Sequence, residues 1–177
     1  MVPEARLDST EHGLVPQGHG WFVLDAREAQ WWDRGPRGFI LRFEGEAPFD
    51  QVGVSLFVLA PGQPMSMYHR EADQEDFLVL SGEALLIVEG EERPLRQWDL
   101  AHCPPGVSHI IVGAGSGASV ILAVGARARR AQGWEYPYSE LAMRHDASAE
   151  EETNDPRVAY ARFPERKPTS YRDGWLP

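Results

Sequence analysis

An all-β fold, a sandwich or a barrel, is the class this sequence predicts. Two observations carry it. Between Gln51 and about Ala126, short runs rich in β-branched and aromatic residues follow one another at close, regular spacing. Each run also ends on a turn signal, so strands joined by tight connections fit better than βαβ units with helical crossovers. No internal repeat is visible, and one barrel is therefore expected rather than two.

Residues 1–50 read as an N-terminal extension that mixes Gly, Pro and Trp. Two short strands are predicted there, Trp21–Leu24 and Phe39–Phe43, with a helical turn in "AREAQWWDRG" ended by Gly35-Pro36. Residues 51–126 read as the barrel core. "VGVSLFVLA" alternates in part and stops at Pro61-Gly62, while "FLVL" breaks at Ser81-Gly82. "EALLIVE" runs into Gly90-Glu91, and "RPLRQW" and "LAHC" precede Pro104-Pro105-Gly106. "HIIVG" then leads through "AGSG" to "ASVILAVGA". Over residues 127–177 the β signal fades into a C-terminal extension. "YSELAMRHD" reads as a short helix capped by Ser139, and "NDPRVAYARF" as a clearer one with Asp155 as N-cap and Pro156 in the first turn. The proline-rich end carries Tyr171 and Trp175, aromatic residues that should pack on the chain's own barrel or on a neighbouring subunit.

A chain of 177 residues suffices for one domain with a real core, and 42% hydrophobic and 25% charged residues match a soluble globular protein. Lys+Arg of 17 against Asp+Glu of 27 gives a formal net charge of −10, which argues against a nucleic-acid partner. Arg127, Arg129 and Arg130 read as a solvated surface cluster. Cys103 is the only cysteine, so no intrachain disulfide forms. The start "MVPEARLDSTEHG" lacks the apolar centre of a signal peptide, and the apolar stretch near "SVILAVGA" falls far short of the roughly 20 residues of a membrane span. A cytoplasmic location without a membrane partner is the expectation.

The stretch "YHREADQEDFLVLSG", Tyr68 to Gly82, sets a histidine and four carboxylates against an apolar run. Charged groups beside a core must be solvated, paired or bound to something. If the segment stays extended, His69, Glu71, Asp73 and Glu75 share a face, because alternate residues of a strand point the same way. Downstream, "WDLAHCPPGVSH" places His109 at the start of a strand after a rigid Pro-Pro-Gly turn, which can bring its imidazole toward the first segment. The plainer readings are solvated loop charges for Glu71 and Asp73, and a salt bridge from Glu75 to Arg70 or Arg93. Asp76 reads as a solvent-facing or turn-capping residue, Cys103 as a small buried hydrophobe, and Met67 and Tyr68 as barrel packing.

These two segments resemble the paired motifs of the cupin superfamily, in its single-domain, cupin 2-like conserved-barrel form. The first motif has a glycine, a His-x-His pair, a glutamate and a later glycine; here Gly62 leads to His69, Glu71, Glu75 and Gly82. The second has a glycine, Pro-x-Gly, a histidine and a closing asparagine; here Trp98 leads to Pro104-Pro105-Gly106, His109 and Gly113. The likeness covers roughly Gln51 to Ala126. It implies a single antiparallel jelly-roll barrel holding a divalent metal ion (Zn, Fe, Mn or Ni), with His69, Glu75 and His109 as ligands. Glu71 replaces the second histidine of the pair, Trp98 the leading glycine and Gly113 the asparagine, so the fourth ligand stays open. Glu71 coordinates; or water or substrate fills the place, leaving the two-His, one-carboxylate set that suits non-haem Fe(II); or His102 or Cys103 reaches in and favours zinc.

The resemblance implies a small-molecule ligand, and two functions stay open. One is a metal-dependent dioxygenase or isomerase of a small polar organic substrate. The other is a non-catalytic barrel that binds a sugar-like molecule or uses the metal structurally. A metal-free barrel acting through oligomer contacts is a third. Groups for acid–base work are not identifiable beyond the proximity of Glu71, His102 and Tyr68. Exposed strand edges need covering, so a homodimer with strand exchange or tail wrapping is expected.

Overall fold

Antiparallel strands make up nearly all of the regular structure in the computed structural model, which describes residues 1–45, 47–129 and 133–177. A hairpin of β1 (Arg6–Thr10) and β2 (Gly13–Gln17) comes first, followed by β3 (Trp31–Asp33), a 3-10 turn (Gly35–Arg37), β4 (Phe39–Arg42) and β5 (Val52–Leu59). Next are β6 (Arg70–Glu71), β7 (Glu75–Ser81), β8 (Glu83–Val88), β9 (Glu91–Arg96), β10 (Leu100–Cys103), β11 (His109–Ala114) and β12 (Ser119–Ala126). The last part holds β13 (Trp134–Glu135), α1 (Glu140–Met143), α2 (Pro156–Ala159) and β14 (Lys167–Thr169).

Two sheets face each other. The larger has the order β10-β7-β12-β5-β4-β3-β14 and the smaller β11-β8-β9. Phe57, Phe77, Val79 and Ile121 of the larger share one core with Ile87, Ile110 and Val112 of the smaller, which is the architecture of a jelly roll. The outer face of the larger sheet is also covered: Trp31, Leu41, Leu56, Val58 and Val120 lie under Tyr171, Trp175 and Leu176. β5 therefore buries side chains on both faces, which explains why "VGVSLFVLA" alternates only in part.

The C-terminal tail packs on this chain's own barrel. β14 pairs with β3, and the Trp175 ring lies 4.2 Å from Phe39 and 5.1 Å from Trp31. Both helices are single turns that start on the expected caps. The Ser139 hydroxyl accepts from the Ala142 N–H, and the Asp155 carboxylate accepts from the Arg157 N–H with Pro156 at the helix start. Among the described residues, no helix is long and apolar enough to cross a membrane.

The N-terminal segment departs from the sequence reading. Trp21–Leu24 is not a strand, since Trp21 makes only one bridge, to Glu4. The unforeseen hairpin β1–β2 is mostly half-buried, and its apolar residues, Leu7 and then Leu14, Val15 and Pro16 in a row, do not alternate with polar ones, so no strand pattern announces it. "AREAQWWDRG" makes one turn, where Glu28 and Ala29 donate to the Asp25 carbonyl, and then enters β3. Burial of the Trp31 ring under Trp175 overrides the local preference. Arg127 is not a solvated surface charge either. Its guanidinium donates to both carboxylate oxygens of Glu44, at 2.7 and 2.5 Å, and to the Phe49 carbonyl at 2.6 Å. Arg130 lies outside the described residues.

Candidate metal centre

Strand parity places the carboxylate. Phe77 and Val79 of β7 point into the core, and Glu75 shares their parity, so its side chain enters the barrel. Across the ladder from Glu75 stands Gly125 of β12, where a Cβ would lie 3.4 Å from Glu75 Oε1. A methyl there would touch the carboxylate in ordinary van der Waals contact, and a larger side chain would press on it. His109, 2% exposed, opens β11 after the Pro-Pro-Gly turn, whose Gly106 has φ of 83°. His69 precedes β6 and forms a single bridge to His109, exchanging both backbone hydrogen bonds at 3.2 and 2.9 Å. That bridge ties the loop to the small sheet and sets the two imidazoles side by side, with ring centroids 4.9 Å apart.

The three side chains meet at one point. The Nε2 atoms of His69 and His109 each lie 3.1 Å from the same Oε2 of Glu75. One donor atom from each of the three residues lies within 4.8 Å of the others. On the far side of each ring, Nδ1 faces a backbone carbonyl: Met67 at 2.8 Å for His69 and Val107 at 2.9 Å for His109. A carbonyl only accepts, so both Nδ1 atoms carry hydrogens. Neutral imidazoles held this way turn two lone pairs on a carboxylate oxygen, an arrangement that only positive charge stabilises. Protons on the rings or a metal cation supply it, and the tethered Nδ1–H groups are the orientation that metal-binding histidines require. The donor set fits a divalent metal.

The electrostatics follow from this convergence. Burial alone would push the Glu75 carboxyl up, but hydrogen bonds from His109 and His69 outweigh it and hold the group well below the usual carboxylate range. His109 shows the converse: burial lowers it, yet hydrogen bonds with Cys103 and Glu75 raise it to about 9. His69 is raised as well, the bond to Glu75 overcoming burial.

Glu71 stands beside this group, outside it. Burial and the Glu75 charge push its carboxyl up to about 8. His102 does not reach the centre. It lies on the outer side of β10, with Nδ1 2.6 Å from Asp76 Oδ1, because its neighbour Cys103 takes the inward position beside His109. Asp73 is 7% exposed, not solvated, and both its carboxylate oxygens accept the Arg129 backbone N–H, at 3.0 and 2.8 Å. Arg70 pairs with Glu135 and Arg93 with Glu91, which leaves Glu75 to the histidines. Met67 and Tyr68 are buried packing residues.

Two departures from the motif have local causes. A Cβ at Gly113 would sit 2.3 Å from the Ala60 carbonyl oxygen, so no side chain fits there. Trp98 occupies a glycine position and keeps a glycine-like φ of 74° with its ring 69% exposed.

An open cavity of about 780 Å³ leads to the centre, its lining shared by His69, Glu71, Glu75 and Tyr136 with Arg34 and Arg37. The arginine wall is absent from the sequence reading. Its one signal is "DRGPR", two arginines astride a Gly-Pro turn.

The cupin domain model matches residues 55–125, a range that contains His69, Glu75 and His109. No curated protein matches the chain. Among solved structures, a sugar phosphate isomerase of the cupin superfamily from Silicibacter pomeroyi is 30% identical over 50% of this chain and 59% of its own, with a TM-score of 0.46. A protein of Acidithiobacillus ferrooxidans, provisionally named a sugar phosphate isomerase, is 29% identical over 44% of this chain and 51% of its own, with a TM-score of 0.42. The present chain thus spans only between half and three fifths of those two proteins. A cupin 2 conserved barrel domain protein from Salinispora arenicola is 22% identical over 61% of this chain and 89% of its own, with a TM-score of 0.49. Residues 55–125, folded into antiparallel jelly-roll sheets, are thus a conserved-barrel domain of the cupin superfamily.

Proposed function

We propose that the chain is a metal-dependent enzyme acting on a small polar organic molecule, in the isomerase or dioxygenase class. His69, Glu75 and His109 are its metal ligands, and Glu71 acts through Glu75 as a positioning residue. The observation that carries this reading is the pair of Nε2 atoms turned on one Glu75 oxygen at the end of an open cavity. Three protein ligands leave coordination positions for a substrate, as catalytic rather than structural metal sites do. A divalent metal there supplies Lewis-acid polarisation of a chelating oxygen or, if it is iron, O₂ activation. The chain's own residues hold that centre: the Met67 and Val107 carbonyls fix both rings, and the barrel wall leaves the Glu75 side chain 21% exposed, toward the cavity.

Elemental analysis of protein purified without chelator tests the reading. About one divalent metal per chain is expected in the wild type and little in His109→Ala. Metal-free wild-type protein that takes up none of Zn, Fe, Mn or Ni on titration overturns it. Tight metal without O₂ uptake or isomerisation across a panel of small polar compounds places the chain instead among binding barrels.

A further inference from the structure

In a chain of formal net charge −10, one cavity collects six arginines, Arg34, Arg37, Arg42, Arg127, Arg157 and Arg166, against three glutamates, Glu71, Glu75 and Glu165. Arg127 is neutralised by Glu44 and Arg157 by Asp155. Among the described residues, neither Arg34 nor Arg37 forms an ion pair. Arg34 is 6% exposed, with Nη1 donating to the Met65 carbonyl at 2.7 Å, Nη2 to the Arg37 carbonyl, and the guanidinium 4.9 Å from the Phe57 ring. The Arg37 guanidinium lies 4.7 Å from the Tyr160 ring and 5.0 Å from Phe163. Among the described residues, the buried Nε–H of neither arginine has an acceptor. Burial first, and the Arg37 charge second, pull Arg34 well below its ordinary value. Two like charges held together without a carboxylate are costly in a protein wall, and an anion between them relieves the cost.

We infer that Arg34 and Arg37 form an oxyanion subsite, so that the substrate is a small organic phosphate or carboxylate. Its anionic end docks on these two guanidiniums while an oxygen at its other end reaches the His69, Glu75 and His109 centre. The planar fork of arginine matches either oxyanion better than an ammonium does. Both residues lie outside the matched cupin domain, on the 3-10 turn between β3 and β4, and Arg166 of the C-terminal segment stacks on Trp32 at 4.4 Å along the same cavity. Substrate choice is therefore a property of the extensions, while the metal belongs to the barrel. Only the far end of the ligand rests on the reading of the metal centre given above.

Calorimetric titration of the full chain with inorganic phosphate and, separately, with malonate tests this, in metal-loaded and chelator-stripped protein. Saturable binding of at least one probe is expected in both forms; phosphate alone marks a phosphate ester and malonate alone a carboxylic acid. Arg37→Gln should weaken that binding by at least about tenfold, with Arg37→Lys affected less and metal content unchanged in both. The subsite is overturned if neither probe binds with a Kd below about 10 mM, or if Arg37→Gln binds as the wild type does. Should Arg37→Gln fail to fold, the wild-type melting temperature decides. A rise with phosphate over chloride at equal ionic strength supports the subsite, and no rise overturns it. Oxyanion binding without metal uptake sinks the metal reading alone, and metal uptake without oxyanion binding sinks the subsite alone.

Discussion

Glu71 and Glu75 line the same cavity, close enough that the charge of Glu75 adds to burial in pushing the Glu71 carboxyl up. Two carboxyls so close cannot both ionise freely, and the histidines decide which one does. Glu75, bonded to both imidazoles, stays ionised, and Glu71 is pushed up to about 8. The sign of the pH dependence follows. Glu71 is raised from 4.5 to about 8 and His109 from 6.5 to about 9, so folding favours their protonated forms. Their stabilisation is complete below 4.5 and 6.5 and is lost as pH rises through about 8 and about 9. Glu75, held low, works oppositely and loses its contribution on acidification. Urea midpoints of metal-free protein should therefore fall from about pH 6.5 to about pH 9, while metal affinity, which requires the His109 proton to leave, rises over the same interval. A flat stability profile there would show that the three side chains do not meet as described.

Gly125 stands across the ladder from Glu75, which makes the metal centre sensitive to the size of a residue that is not a ligand. In Gly125→Val the added methyls crowd Glu75 Oε1, already 3.4 Å from the Cβ position. Metal affinity should fall by about 10- to 100-fold, the range for residues that orient ligands, with the far-UV circular dichroism unchanged. Wild-type affinity in this variant would mean that Glu75 has slack the structure does not show.

Much of this was legible in the residues themselves. β5 and β7–β12 fall where turn signals divide apolar runs, because short strands between Gly and Pro turns are a local property. Convergence of His69, Glu75 and His109 is readable from two further features: the parity that Glu75 shares with Phe77, and the Pro-Pro-Gly turn before His109. What escaped depends on contacts far apart in sequence. Asp73 looks like a solvated loop charge until Arg129, 56 positions on, is folded over it. Arg127 looks like a surface charge until Glu44 meets it across 83 positions. The Arg34–Arg37 wall is invisible for the same reason, since it faces the cavity only once Tyr160 and Phe163 arrive from the C-terminal segment. The β1–β2 hairpin was missed because its apolar residues do not alternate with polar ones.

The Arg127–Glu44 pair offers a stability test away from the metal. Glu44 is held below its ordinary value because the bond from Arg127 outweighs burial, and the two side chains are 7% and 18% exposed for Glu44 and Arg127. Arg127→Met strands a largely buried carboxylate and should cost about 3 kcal/mol in urea denaturation. Adding Glu44→Leu should recover part of that loss, since no charge is then stranded, while the Phe49 N–H and carbonyl lose their partners Glu44 and Arg127. If the double variant is no better than Arg127→Met, the cost comes from lost packing against Gly53, where the guanidinium leaves only 2.7 Å to a Cβ position.

Trp98 keeps the backbone of the glycine it replaces. Its φ of 74° lies in the left-handed region, and the turn is held there by Trp98 N–H to the Val79 carbonyl at 2.8 Å and Val79 N–H to the Asp99 carbonyl at 3.1 Å. A residue with a Cβ costs about 1–2 kcal/mol in this region, whereas glycine gives back about 0.5–1 kcal/mol through its freer unfolded chain. With the ring 69% exposed, little burial offsets the strain. Trp98→Gly should therefore stabilise the barrel by roughly 0.5–1 kcal/mol, and Trp98→Ala, which keeps the strain and loses the ring, should not. Chemical denaturation of the two variants side by side separates the backbone effect from the side chain. Destabilisation by both would mean that the exposed indole has a partner in solution, and a second copy of the chain, visible as a dimer by sedimentation in the wild type and lost in both variants, is the form that outcome should take.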